Sequence, residues 1–294
     1  MNYFDPKALV KLKNLYLRAR FVVDGVMVGL HPSRAKGFSS EFEQHREYSQ
    51  GDDVRRVNWK AFGKFDRYFI KEYRETTNLK THILLDSSSS MGYAADGWSK
   101  FDYGATLAAS LAYLLLKQQD AVGLITFSDK VEKTFPPKAA HDYLFAILRG
   151  LEDGKPAGKT RAGAILQEVA GSLKRRGLVI LISDLLDEPA EVIKGLKQLR
   201  SRGNDVMVFQ LLDKDELEFP FEGSSLFLDL EEDLKLLADP SAIKAAYLKS
   251  LKGLIDEYRR SCASHRMDYS LWDTSVGLDR ALVRYLSWRE RLRQ

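Results

Sequence analysis

The sequence predicts an α/β fold: a doubly wound, mostly parallel sheet with helices on both faces, preceded by a small irregular N-terminal segment. From residue 80 onward, short apolar strands alternate with helices, which is typical of such folds. Residues 178–182 are apolar without interruption, as strands covered on both faces are. The 294 residues are 45% apolar and 29% charged, so the chain can bury a large core.

The N-terminal part predicts one helix and then a loop-rich stretch. Leucines and valines recur at near-helical spacing over residues 5–30. Residues 32–66 are polar and predict irregular structure, and residues 68–73 alternate as a strand does. We therefore assign residues 1–78 to a leader segment that packs on a second unit, residues 79–294, which ends in a helical extension.

The second unit carries the alternation of strands and helices that defines the fold class. Strands are predicted at residues 81–85, 121–127, 131–135, 178–182, 205–212, 226–230 and 269–272. Helices are predicted at residues 101–118, 141–151, 161–175, 191–202, 239–265 and 278–293. In open sheets of this kind, ligands bind outside the carboxyl ends of the strands.

Oxygen-bearing side chains fall at that edge. Asp86 follows the first core strand directly, and Ser88 and Ser90 come at steps of two within the run Asp86-Ser87-Ser88-Ser89-Ser90. Thr160 precedes a predicted helix, and Asp184 follows the strand that ends at Ser183. Carboxylates and hydroxyls are hard oxygen ligands, which suit Mg²⁺ or Mn²⁺ and not zinc. A plain polar turn in which the serines cap the next helix is the simpler alternative.

This set resembles the metal-ion-dependent adhesion site of von Willebrand factor A (vWA) domains, whose pattern is Asp-x-Ser-x-Ser, then Thr, then Asp. Asp86, Ser88, Ser90, Thr160 and Asp184 match all five positions in order. The resemblance implies that these five residues hold a cation, Mg²⁺ or else Mn²⁺ or Ca²⁺, and leave one coordination position open. Two neighbours depart from the commonest form.

The departures are a lysine before the threonine and a leucine where glycine is frequent. Lys159 would weaken cation binding if its side chain pointed inward, and Leu185 follows the second aspartate. Neither removes a ligand.

The leader has a signature of its own, from Arg46-Glu47-Tyr48 through Gly51-Asp52-Asp53 and Arg55 to Trp59. It resembles the leader of the bacterial domain-of-unknown-function family fifty-eight, which stands ahead of a vWA domain. These charged residues and Trp59 would form either an ion-pair cluster that holds the leader on the domain or a docking surface.

Several other functions are disfavoured. The net charge is only +4 and basic and acidic residues are interspersed, so nucleic acid is not an expected ligand. The run from Gly154 to Thr160 imitates a phosphate-binding loop, but Asp153 stands where that pattern needs glycine. The single Cys262 is expected to be structural. The longest apolar run is too short to span a membrane, so we expect a cytoplasmic protein without an integral membrane segment.

We therefore expect a non-enzymatic, cation-dependent protein-binding module whose partner offers a carboxylate to the metal. The family resemblance implies cooperation with a MoxR-type AAA+ ATPase in the assembly or activation of other proteins. The alternative is a metal-dependent phosphohydrolase that uses the same cation. The sequence shows no general base or nucleophile for that reaction, since Asp86 is followed by Ser88 and not by a second acid.

Overall fold

The computed structural model describes residues 14–29, 45–47, 69–71 and 80–293, apart from residues 96, 174–175 and 232–233. A six-stranded sheet forms its centre, with the strand order β10-β7-β6-β3-β4-β5. Its strands are β3 (Lys80–Asp86), β4 (Ala121–Phe127), β5 (Val131–Lys138), β6 (Leu178–Ser183), β7 (Asp205–Leu212) and β10 (Asp268–Asp273). All neighbours are parallel except β4 and β5, so the predicted fold class is confirmed.

Helices cover both faces of this sheet. The described helices are α1 (Leu15–Gly29), α2 (Lys100–Lys117), α3 (Tyr143–Glu152), α4 (Ala162–Ser172), α5 (Pro189–Ser201), α6 (Lys214–Glu218), α7 (Pro240–Ser264) and α8 (Leu278–Arg293). The structure also describes two antiparallel strand pairs, β1 (His45–Glu47) with β2 (Phe69–Lys71) and β8 (Ser225–Leu228) with β9 (Lys235–Ala238).

Alternate residues of each central strand enter different cores, which is why these strands are apolar throughout. In β3, for example, Ile83 and Leu85 join the core under α1, α2, α3 and α8, whereas Leu84 joins the core under α4, α5 and α7. All three are fully buried, and each such side chain stabilises the fold by about 1.5–3 kcal/mol. The site edge therefore rests on a rigid base.

Most predicted elements agree with the structure within a few residues, and the differences have local causes. Strand β5 extends through Pro136 and Pro137 to Lys138, beyond the predicted end at residue 135, because an edge strand tolerates missing N–H groups. Helix α4 ends at Ser172, short of the predicted residue 175, and Leu173 is already extended. Strand β1 lies within residues 32–66, which were predicted to be irregular.

Helix α1 packs within the same core as the sheet and not as a separate layer. Leu15, Ala19, Val22 and Val26 are buried in the cluster that also contains residues of α2 and α8. Residues 5–13 of the predicted helix lie outside the described residues, as do most of residues 30–79. The division of the chain at residues 78 and 79 therefore stays a prediction.

Candidate metal centre

The two aspartates of the predicted site lie side by side at the carboxyl edge of the sheet. Asp86 is the last residue of β3, and Asp184 directly follows β6, the parallel neighbour of β3. Both are fully buried. The fold thus confines two carboxylates to one water-poor place.

Hydrogen bonds hold the Asp86 carboxylate from two sides. The Ser88 N–H donates to Oδ1 at 2.9 Å, and the Ser183 hydroxyl donates to Oδ2 at 2.6 Å. Burial first and the charge of Asp184 second raise the pKa of Asp86 to about 7, although these hydrogen bonds act in the opposite direction. Both donors are neutral, so the arrangement leaves negative charge that a cation would compensate.

The serine run places alternate side chains on opposite sides. The hydroxyls of Ser88 and Ser90 lie 3.1 Å apart beside Asp86. Ser87 turns toward β4 and β5, where its hydroxyl donates to the Phe127 carbonyl at 2.9 Å and to Glu132 at 3.1 Å. Ser88 precedes the short 3₁₀ turn Ser89–Gly92 without a side-chain cap, so capping does not account for it.

Backbone hydrogen bonds attach the Thr160 loop to the serine run. The Ala157 N–H donates to the Ser87 carbonyl at 2.8 Å, and the Ser89 N–H donates to the Gly158 carbonyl at 2.9 Å. Gly158 has a φ of +80°, which side-chain-bearing residues rarely adopt, so glycine is needed at this contact. Thr160 thereby reaches the same edge of the sheet.

A buried lysine occupies one side of the site. Lys100, the first residue of α2, is fully buried, and its Nζ lies 2.8 Å from Asp184 Oδ2 and 2.6 Å from Glu216 Oε1. Burial alone would lower the pKa of Lys100, but the two carboxylates outweigh it and the pKa is raised. The second oxygen of Asp184 accepts from the Leu186 N–H at 3.3 Å. Asp184 would therefore act on a bound cation mainly through its charge or through water.

The two departures from the family pattern have distinct consequences. Lys159 is exposed to solvent, whereas Lys100 is buried and directly contacts Asp184. Leu185 has a φ of +56°, a left-handed conformation that explains why glycine is frequent there. Leu185 is nevertheless fully buried, and its N–H and carbonyl are held by Ser183 and Tyr258. Packing and hydrogen bonds stabilise the strained backbone.

The donor set fits a hard divalent cation of the Mg²⁺ or Mn²⁺ kind. It offers two carboxylates and three hydroxyls, and Asp86 brings a buried charge without a cationic partner of its own. Within the part of the chain that the structure describes, no group of three or more His, Cys, Asp or Glu side chains could hold a metal ion. A cation here would rely on hydroxyls and water for its remaining ligands.

Comparison with known proteins places the chain. The family described as "Protein of unknown function DUF58" matches residues 44–252, a range that includes the leader signature around Arg46. The chain belongs to this family. The uncharacterized proteins Mb1516 of Mycobacterium bovis and Rv1480 of Mycobacterium tuberculosis are each 25% identical over 269 residues, covering 90% of this chain and 80% of theirs.

Solved structures share the DUF58 chain's fold. The conserved hypothetical protein BatB from Bacteroides thetaiotaomicron is 18% identical and superposes with a TM-score of 0.50 over 72% of this chain and 99% of its own. The SpRpn10 VWA domain also matches, with 12% identity and a TM-score of 0.41 over 69% of this chain and 93% of its own. The prediction that the chain belongs to this family is confirmed, and the metal-ion-dependent adhesion site stays a prediction.

Other sequence expectations have mixed outcomes. Cys262 is buried, and burial raises the pKa of its thiol to about 12, as expected for a structural cysteine. Asp52, Asp53, Arg55 and Trp59 lie outside the described residues, so both interpretations of the leader stay open. Among the helices that the structure describes, none has the length and apolar character needed to cross a membrane.

Sequence reasoning missed three residues that shape the site. Lys100 forms buried ion pairs with Asp184 and with Glu216, and Glu231 accepts hydrogen bonds from Thr160. Lys100 lies 84 positions from Asp184, Glu216 lies 116 positions from Lys100, and Glu231 lies 71 positions from Thr160. The motif carries no signal for contacts of this range. In the sequence, the one sign of these contacts was the position of Lys100 directly after Ser99, the residue that caps helix α2.

Proposed function

We propose that this protein is a divalent-cation-dependent protein-binding module whose cation is held by Asp86, Ser88, Ser90, Thr160 and Asp184. The observation that carries the proposal is the buried Asp86 carboxylate, which is held by neutral donors beside a second carboxylate. A cation would neutralise that charge and would present an attractive point for a partner's carboxylate.

Each side chain has a different role at the proposed site. Asp86 supplies the main charge, and the hydroxyls of Ser88, Ser90 and Thr160 supply oxygen ligands. Asp184 adds a second negative charge that Lys100 already shares. The partner we propose is a protein that offers a carboxylate, and the family resemblance points to a MoxR-type AAA+ ATPase. The module would then act as an adaptor in assembly or activation of other proteins, without an enzymatic step of its own.

A thermal-shift titration tests the cation site. Saturating Mg²⁺ or Mn²⁺ should raise the melting temperature of the wild type, since a ligand at 100 times its Kd stabilises by about 2.7 kcal/mol. Asp86→Ala should abolish the shift. The matched control is Asp142→Ala, because Asp142 is exposed and its side chain makes no capping hydrogen bond. A shift of equal size in Asp86→Ala would refute the site.

Affinity capture from bacterial lysate tests the partner. The wild type should capture a MoxR-type ATPase with Mg²⁺ present and lose it with a chelator, and Asp86→Ala should not capture it. If the ATPase is absent from the wild-type capture, the adaptor role is wrong. Hydrolysis of a phosphate ester that disappears in Asp184→Ala would instead support the phosphohydrolase alternative.

A further inference from the structure

The carboxylate of Glu231 is attached to the threonine of the candidate metal centre. The Thr160 hydroxyl donates to Oε1 at 2.6 Å, and the Thr160 N–H donates to Oε2 at 2.9 Å. Both carboxylate oxygens are therefore engaged by one residue, across 71 positions of the chain. Charge-assisted bonds of this kind are among the stronger hydrogen bonds in proteins.

A hydroxyl that gives its proton to Glu231 keeps its lone pairs for a cation. The two hydrogen bonds thus leave Thr160 able to act as a ligand. They also place a carboxylate oxygen 2.6 Å from the hydroxyl oxygen of a proposed ligand, so a cation bound by Thr160 would have this carboxylate beside it. Glu231 offers the same chemistry at this position that a partner's carboxylate would offer.

Glu231 is delivered by the hairpin of β8 and β9, called here the leucine hairpin (residues 225–238). Its tip is shaped to present the side chain, since Asp229 Oδ1 accepts the Glu231 N–H at 2.7 Å and the Asp229 N–H donates to the Leu234 carbonyl at 3.0 Å. At the base, Phe227 stacks on Phe219, with ring centroids 5.7 Å apart. The contact with Thr160 lies at the far end.

The rest of the leucine hairpin buries little apolar surface. Six of its leucines are at least half exposed: Leu226, Leu228, Leu230, Leu234, Leu236 and Leu237. Leu237 is 70% exposed, although a leucine gains stability when it is buried. Among the described strands, β8 and β9 pair only with each other. The register places Leu226, Leu228 and Leu237 on one face of the hairpin and Leu236 on the other, and exposed apolar surface of this kind is typical of interaction sites. The two hydrogen bonds of Glu231 attach the tip to Thr160.

We propose that Glu231 is an internal carboxylate ligand of the candidate metal centre, standing in the position that a partner's carboxylate takes. The proposal rests on the proposed function and adds its regulation. A partner that carries an acidic side chain beside an apolar surface displaces the tip of the hairpin. The exposed leucines of the hairpin then contact that apolar surface. In the absence of such a partner, Glu231 keeps the site closed.

Mn²⁺ binding to the full chain tests this proposal. Glu231→Gln should weaken the binding of Mn²⁺ by roughly tenfold, because the site loses one charged ligand. In Glu231→Ala, which leaves no side-chain oxygen at this position, water-proton relaxation should show one more water on the bound Mn²⁺ than in the wild type. The matched control is Glu222→Gln, an exposed glutamate just before the leucine hairpin, which should change neither value.

The outcomes separate the two proposals. If Mn²⁺ binds the wild type but not Asp86→Ala, and Glu231→Gln matches the wild type in affinity and Glu231→Ala matches it in hydration, Glu231 is not a ligand while the metal centre stands. If the wild type binds no Mn²⁺, the metal centre itself is wrong. Should Glu231→Gln fold poorly, Glu231→Asp keeps the charge but shortens its reach by one methylene, and it should show the same weakened binding.

Discussion

Replacing Lys100 by methionine should destabilise the protein strongly, because its ammonium group is the shared ion-pair partner of two carboxylates. Lys100 is fully buried, and the Asp184 and Glu216 side chains are 0% and 15% exposed. At 2.8 and 2.6 Å, each attraction amounts to about 6 kcal/mol at an effective dielectric constant of 20. Desolvation of the three charges offsets most of this gain.

The net loss follows from what the substitution leaves behind. Removing one partner of a buried ion pair leaves an uncompensated charge and costs about 3–5 kcal/mol. Urea denaturation monitored by tryptophan fluorescence should therefore show a midpoint lowered by about 1–2 M. The matched control is Lys194→Met, because Lys194 is 61% exposed and pairs with Glu191 on the surface of α5. Its loss should stay below about 1 kcal/mol.

The loss in Lys100→Met should also shrink as the pH falls. Burial raises the pKa of Glu216 even with Lys100 beside it, and the pKa would rise further without the ammonium. A carboxyl whose pKa is higher in the folded state than in the unfolded state favours folding as the solution becomes more acidic. A loss equal to that of Lys194→Met, or a loss that is the same at about pH 5 and about pH 8, would refute this account of the buried pairs.

Three further substitutions test the site at other points. Asp86→Asn should raise the melting temperature at about pH 8 when no cation is added. Burial raises the pKa of Asp86 to about 7, so the charged carboxylate destabilises the fold as the pH rises from about 4 to about 7. A thermal scan that shows no gain at pH 8 would contradict this. Gly158→Ala should lower the free energy of unfolding by about 1 kcal/mol or more in chemical denaturation, because Gly158 has a φ of +80°. The control Gly171→Ala in α4 has open space around it and should be neutral or stabilising. Equal effects of the two substitutions would count against strain at Gly158. Ser183→Ala removes the 2.6 Å hydrogen bond to Asp86 and should lower the free energy of unfolding by about 1–3 kcal/mol. The loss should be larger at pH 8 than at pH 5, because this hydrogen bond favours the charged carboxylate. A loss that does not depend on pH would indicate a packing effect instead.

The central strands were predictable because their burial on two faces leaves a direct trace in the sequence. The apolar runs of β6 and β7 identified both strands with nearly correct ends. The end of β3 placed Asp86 at the sheet edge for the same reason. Helix α7 was predicted from its Asp239-Pro240 start, and the Asp239 side chain indeed accepts the Ser241 N–H.

Two short elements and one set of long-range contacts escaped prediction. Strand β9 is four residues long and directly precedes the helix cap Asp239, so its apolar residues gave no separate period. Helix α6 is five residues long and has no buried residue. The bond from Lys100 to Asp184 spans 84 positions, and no local pattern encodes a pairing of that length. The five residues of the metal motif were selected by the family pattern and by the position of Asp86 and Asp184 after strands, and their role as ligands stays a prediction.

The packing of α1 against α8 has a consequence for the order of events during synthesis. Residues such as Val22 and Val26 belong to the same buried cluster as Leu282 and Tyr285. Translation at roughly 5–20 residues per second separates their emergence by roughly 10–50 s. During that interval this side of the core stays incomplete, and the apolar stripe of α1 must avoid aggregation in a nascent chain that cannot yet finish folding.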